Sequence, residues 1–93
     1  MFKVNEYFGG RVKSLSFTSS DGPATIGVMD IGEYEFGTST VEYMTVTSGE
    51  LNVKLPDQND WRVFKKGETF IVDKDKKFQL ILKEESSYIC IYK

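Results

Sequence analysis

The feature that most limits how this chain can fold is its punctuation. Short runs rich in β-branched and aromatic residues recur about every 8–12 residues, nearly from end to end. Segments 11–17, 25–31, 43–47, 51–55, 61–64, 69–72, 78–82 and 88–92 have this character. Between them lie clusters of turn-forming residues, among them Ser19-Ser20-Asp21-Gly22-Pro23, Ser48-Gly49 and Asp73-Lys74-Asp75. This rhythm predicts an all-β sandwich or closed antiparallel barrel. No stretch holds a 3.6-residue period for three turns, and the best helical candidate, 38–46, is too β-branched to be one. With 93 residues there is room for a single domain, 1–93, and no repeat or low-complexity tract divides it.

Alternation then assigns faces, because successive strand side chains point to opposite sides. Tyr34, Phe36 and Thr38 share one face of their strand, with Glu33 and Glu35 on the other. Glu42, Met44 and Val46 share a face in the next strand. In segment 11–17 the same parity joins Arg11, Lys13, Leu15 and Phe17, so two cations are expected on the side of two core residues. In the last strand Tyr88, Cys90 and Tyr92 alternate with Ile89 and Ile91, and periodicity leaves open which set faces inward.

Composition narrows the chemistry. There is no histidine, which removes the commonest general base, the commonest metal ligand and every histidine-dependent triad. The single cysteine, Cys90, suits a reducing compartment and reads as a small buried hydrophobe. A net charge of −2 supplies no basic field for nucleic acid or for a membrane surface. The opening MFKVNEYFGG has no apolar leader core, and no run is long enough to span a bilayer as a helix. A cytoplasmic protein is expected. Gly10-Arg11-Val12-Lys13 before Phe17 resembles the opening of cold-shock RNA-binding domains, but the aromatic motif that should follow is missing. The Lys74-Asp75-Lys76-Lys77 run reads as a solvated turn.

From Gly32 to Val53 the chain has the cadence of the first cupin motif, with Glu42 seven residues before the turn glycine Gly49. The slots for metal-binding histidines fall near Phe36 and Thr38, and that of the second motif at Phe78. None of the three offers a metal ligand. Beyond the cadence, the chain resembles the pyrimidine/purine nucleoside phosphorylase family of small cupin-like proteins over nearly its whole length. Asn5-Glu6-Tyr7-Phe8 with Gly10, Gly27-Val28-Met29, Gly32-Glu33-Tyr34 and Met44-Thr45-Val46 carry the likeness, with Ser48-Gly49, Leu55-Pro56 and Ser87-Tyr88-x-Cys90-x-Tyr92 after them. The sequence departs at Asp73-Lys74-Asp75, where a Pro-Gly turn is expected. The resemblance implies a cupin-type antiparallel β-barrel or jelly roll without the metal-binding histidines. It also implies a homodimer that cleaves purine and pyrimidine nucleosides with inorganic phosphate, giving free base and pentose 1-phosphate without a metal or other cofactor.

That chemistry needs a phosphate site, room for an oxocarbenium-like sugar and a means of neutralising the departing base. By parity Lys13 and Arg11 are the candidate phosphate ligands, with Thr38 assisting. Glu42, the one acid expected among inward apolar neighbours, is the candidate for gripping ribose or protonating the base. Lys13 and Glu42 are thus the expected catalytic pair. Tyr34, Tyr88 and Tyr92 are candidates for stacking on the base and orienting the nucleoside. Each also has a plain structural role open to it, as barrel-rim cation, paired carboxylate or core aromatic. Two other readings keep the fold and drop the reaction: a non-catalytic cupin-like module binding a nucleoside or sugar, and a ligand-free structural barrel.

Overall fold

The computed structural model describes all residues, 1–93. Ten strands follow one another: β1 (Lys3–Tyr7), β2 (Val12–Ser19), β3 (Gly22–Met29), β4 (Gly32–Gly37), β5 (Glu42–Ser48), β6 (Glu50–Lys54), β7 (Trp61–Lys65), β8 (Thr69–Val72), β9 (Lys77–Leu82) and β10 (Ser86–Tyr92). A large sheet runs β1-β2-β3-β10-β5-β8 and a small one β4-β9-β6-β7, with every pairing antiparallel. The inner faces close on a core that includes Val12, Met44, Val46, Leu51, Val53, Val72, Leu80 and Leu82. The all-β antiparallel fold expected from the punctuation is present, as two facing sheets.

Turn chemistry sets the crossings between sheets. At Gly49 the chain passes from β5 in the large sheet to β6 in the small one, with φ of 76°. A side chain there would strike Ser86 Oγ, whose hydroxyl already accepts from Glu50 N–H at 3.2 Å. Glycine therefore serves both the left-handed conformation and the close approach. The Asp73–Lys76 turn is tied down by Thr38, whose hydroxyl donates to Asp73 O at 2.6 Å and accepts from Lys76 N–H at 3.0 Å.

Two expectations fail here. β1 lies outside every segment anticipated from the sequence, because Lys3–Tyr7 alternates charged and polar residues with only one apolar side chain between its ends. In β2 the inward parity is reversed. Val12 and Ser14 are buried, whereas Lys13 is exposed and Leu15 stays 46% exposed. Leu15 and Phe17 face outward because the small sheet has two strands fewer and does not cover this end of the large one.

Candidate functional site

At the wide end of the sandwich the inner faces part around a cavity of about 480 Å³, lined mostly by aromatic and apolar side chains. The cross-strand rows of the large sheet build one wall. Tyr88 on β10 stands opposite Gly27 on β3 and Val46 on β5, and Cys90 opposite Thr25 and Met44. Gly27 is needed there: the Tyr88 ring lies across its backbone, where any Cβ would collide with the phenol. Phe36 on β4 and Phe78 on β9 build the other wall, with rings stacked at 6.0 Å and 28°. Tyr7 meets Phe36 edge-on at 6.0 Å and closes one side.

The rim holds a strained turn. Phe8, Gly9 and Gly10 take φ of 54°, 68° and 90° in succession. For Phe8, a bulky L-residue, this left-handed conformation costs about 1–2 kcal/mol. Phe8 is held by packing on Tyr34 at 5.0 Å and on Phe36 at 5.4 Å. The result is an exposed phenyl ring fixed at the cavity mouth.

Glu42 projects into this aromatic enclosure from the start of β5. Burial pushes its carboxyl above the usual carboxylate range, opposed by the Cys90 hydrogen bond. Cys90 Sγ donates to Glu42 Oε1 at 3.6 Å, and burial together with the neighbouring carboxylate pushes the thiol up. Cys90 thus adds a donor role to the buried packing expected of it. Burial also raises the phenols, Tyr88 to about 12 with Ser14 pulling it back, and Tyr92 upward with Thr25 opposing. Tyr92 OH and Thr25 Oγ1 share a hydrogen bond of 2.9 Å. Both tyrosines remain neutral hydroxyls at ordinary pH. The open question of the last strand is settled: Tyr88, Cys90 and Tyr92 face inward.

The structure brings together Glu42, Tyr88 and Tyr92 among the residues singled out in the sequence, and places four others elsewhere. Lys13 points out of the sandwich, with Nζ 3.7 Å from Glu6 Oε1 and its side chain 59% exposed. Arg11 is bound to the β3–β4 turn, donating to Ile31 O at 2.6 Å with its guanidinium 5.4 Å from the Tyr34 ring centre. Thr38 spends its hydroxyl on the Asp73–Lys76 turn. Tyr34 is a core residue whose OH donates to Asp30 O at 2.7 Å, outside the cavity lining. None of these four lines the cavity. Glu42 is also not the only acid, since Glu35 reaches the rim and accepts from Gln79 Nε2 at 3.4 Å.

Tyr7, Phe8, Phe36, Phe78 and Ser14 also line the cavity and were not singled out as site residues. A usable signal existed for two of them, because Phe36 and Phe78 occupy metal-ligand slots of the cupin cadence. A cupin metal does not fit these residues. Phenyl rings fill two slots, Thr38 is committed to the backbone, and no three thiolate or carboxylate groups converge anywhere in the chain.

A sequence model of the pyrimidine/purine nucleoside phosphorylase family matches residues 2–92. A relative from Pseudomonas syringae pv. syringae that carries the name pyrimidine/purine nucleoside phosphorylase is 58% identical over 93 residues, all of both chains. One from Alcanivorax borkumensis with the same name is 55% identical over 99% of this chain and 98% of its own. Among solved structures, a Vibrio parahaemolyticus protein described as of unknown function is 42% identical, with TM-score 0.93 over 97% of this chain and 96% of that one. An RmlC-like cupin from Shewanella frigidimarina, 20% identical, has TM-score 0.75 over 96% of this chain and 80% of its own, which is a likeness of fold.

Proposed function

The chain belongs to the pyrimidine/purine nucleoside phosphorylase family, and from that premise we infer that the cavity around Glu42 is its active site. The protein cleaves purine and pyrimidine nucleosides with inorganic phosphate, giving free base and pentose 1-phosphate. One observation carries the assignment of the site: the Glu42 carboxyl, held by Cys90 Sγ at 3.6 Å, stands inside an aromatic-lined cavity of nucleoside size.

The chemistry follows from what those groups can do. The base stacks among Phe36, Phe78 and Tyr7, whose faces bind any base without reading its edges. Purines and pyrimidines are then both accepted. A phosphate oxygen forms the new bond to C1′ as the C1′–N bond breaks and its electron pair leaves with the base. Burial favours the protonated form of Glu42, which gives the departing nitrogen its proton and regains one from solvent. Cys90 holds the Glu42 carboxyl from behind through the Sγ to Oε1 contact. Tyr88 and Tyr92, neutral and tethered, orient the sugar. No metal or other cofactor is required by these steps.

The same reading includes a cytoplasmic homodimer that joins through the outer face of β1–β3. Val4, Leu15 and Ile26 stand there in one cross-strand row and are 61%, 46% and 49% exposed. A run of apolar side chains on an exposed sheet face marks a surface covered in the assembled protein. No helix of the chain is long and apolar enough to cross a membrane.

The deciding experiment incubates chelator-treated protein with mixed nucleosides, with and without inorganic phosphate, and measures free base. Release that depends on phosphate and survives chelation is the expected result. Saturable nucleoside binding with no product in either condition would replace the enzyme with a binding module of the same fold.

A further inference from the structure

The nucleoside cavity contains two carboxyl groups, Glu35 and Glu42, and no lysine or arginine in its lining. A phosphate dianion needs charge-assisted donors, so a wall of this composition does not by itself hold one. A second, more open cleft of about 770 Å³ adjoins it over β1–β3, and the two share Tyr7 and Tyr92 as their common wall. The charge balance there is opposite. Lys3 is the only lysine or arginine of that lining, no carboxylate is present, and Lys3 makes no ion pair.

Hydroxyls converge beside it. Lys3, Ser16, Thr25 and Cys90 form one cross-strand row, so their side chains share the inner face. Asn5 Nδ2 donates to Ser16 Oγ at 3.0 Å and to Ser14 Oγ at 3.2 Å. Since Ser16 accepts there, its own proton is free to donate into the cleft. The Thr25–Tyr92 pair has two hydroxyl protons and one shared hydrogen bond of 2.9 Å, so it too has a proton left over. Thr25 is 93% buried, which sets it apart from a chance surface threonine.

We propose that this cleft is the phosphate subsite, with Lys3 as its cation and Ser16 and the Thr25–Tyr92 pair as its hydroxyl donors. The proposal rests on the phosphorylase reading and deepens it. Ser16 and Cys90 are two strand spacings apart, about 10 Å, and Cys90 holds Glu42. A sugar seated at Tyr92 has phosphate on one side and the acid on the other, as displacement at C1′ demands. The phosphate oxygen bonds to C1′ from the β1–β3 side, and the base leaves toward Glu42 with the electron pair and the proton.

The test compares the full-length protein with Lys3→Gln, Lys3→Arg and Lys13→Gln, using inorganic phosphate as the probe. Two quantities are read: the thermal shift produced by phosphate without nucleoside, and the KM for phosphate in phosphorolysis. Lys3→Gln is expected to abolish the shift and raise the phosphate KM about tenfold, the loss of one charge-assisted contact, with the nucleoside KM unchanged. Lys3→Arg is expected to keep most of both, and Lys13→Gln all of both. Unchanged phosphate dependence in Lys3→Gln, or an equal loss in Lys13→Gln, overturns the subsite. If no base is released by the unaltered chain, the phosphorylase reading fails. The phosphate shift and its response to Lys3→Gln still decide the subsite independently.

Discussion

Across β5, β8 and β10 the residues turned toward the small sheet include Met44, Val46, Phe70, Val72 and Cys90, all buried. On the same inner face of β1 and β2 stand Lys3, Asn5, Ser14, Ser16 and Thr18, and here the apolar residues Val4, Leu15 and Phe17 turn outward. In the covered half the inward set is apolar, whereas on β1 and β2 it is mostly polar, with Tyr7 and Val12 the exceptions. Where another sheet covers the strand, transfer of apolar surface from water puts hydrophobes inward. Where the small sheet stops short, the inner face stays wet and is free to bind a polar ligand, and the apolar face must find cover outside.

The most damaging change to this division is the loss of Glu42, the acid held inside the cavity by Cys90. Glu42→Gln is expected to lower kcat about 10²–10⁴-fold, the usual contribution of a general acid, while the fold persists. Steady-state kinetics beside a thermal melt checks this, and full activity in the variant would remove Glu42 from the reaction. Next comes a contrast in stability between the two halves. Leu80→Ala, in the sealed core, should cost about 2–5 kcal/mol by denaturant titration. Ser16→Ala, on the wet face, should cost about 0.5–1.5 kcal/mol, the net worth of one hydrogen bond. Equal costs would mean that the inner face of β2 is packed like the rest.

On the outer face, Leu15→Glu should convert the proposed dimer to monomer in analytical ultracentrifugation without altering the isolated fold. A dimer that survives it would place the contact elsewhere.

The smallest effect is on pH-dependent stability. Burial raises the folded-state pKa of Glu42, so its stability contribution is full below the unfolded value and is lost as pH rises through the folded one. Glu42→Gln should therefore melt like the unaltered chain near about pH 4 and above it near about pH 8. Each kcal/mol of the desolvation cost corresponds to about 4–8 °C. A gap that closes with rising pH would show that Glu42 is stabilised in its charged form.

Much of the architecture was legible before folding. Eight of the punctuated segments overlap strands β2, β3, β5, β6, β7, β8, β9 and β10, because turn residues and β-branched runs act locally. Glu42 was legible too, since its neighbours Met44 and Val46 lie where both sheets are covered and apolar parity points inward. Lys13 and Arg11 were misplaced by the same rule applied to β2, where Leu15 and Phe17 are outside. Lys3 gave no signal and Asn5 only as part of the family likeness, for a five-residue edge strand with a single apolar side chain between its ends looks like a tail.

By itself, then, the sequence determined that this protein is all-β, that its strands alternate, and that no histidine chemistry is open to it. Alternation fixes which residues travel together but carries no sign. Only the tertiary structure decided which parity of each strand meets water, because that depends on how far the opposing sheet extends, a property of neither strand alone.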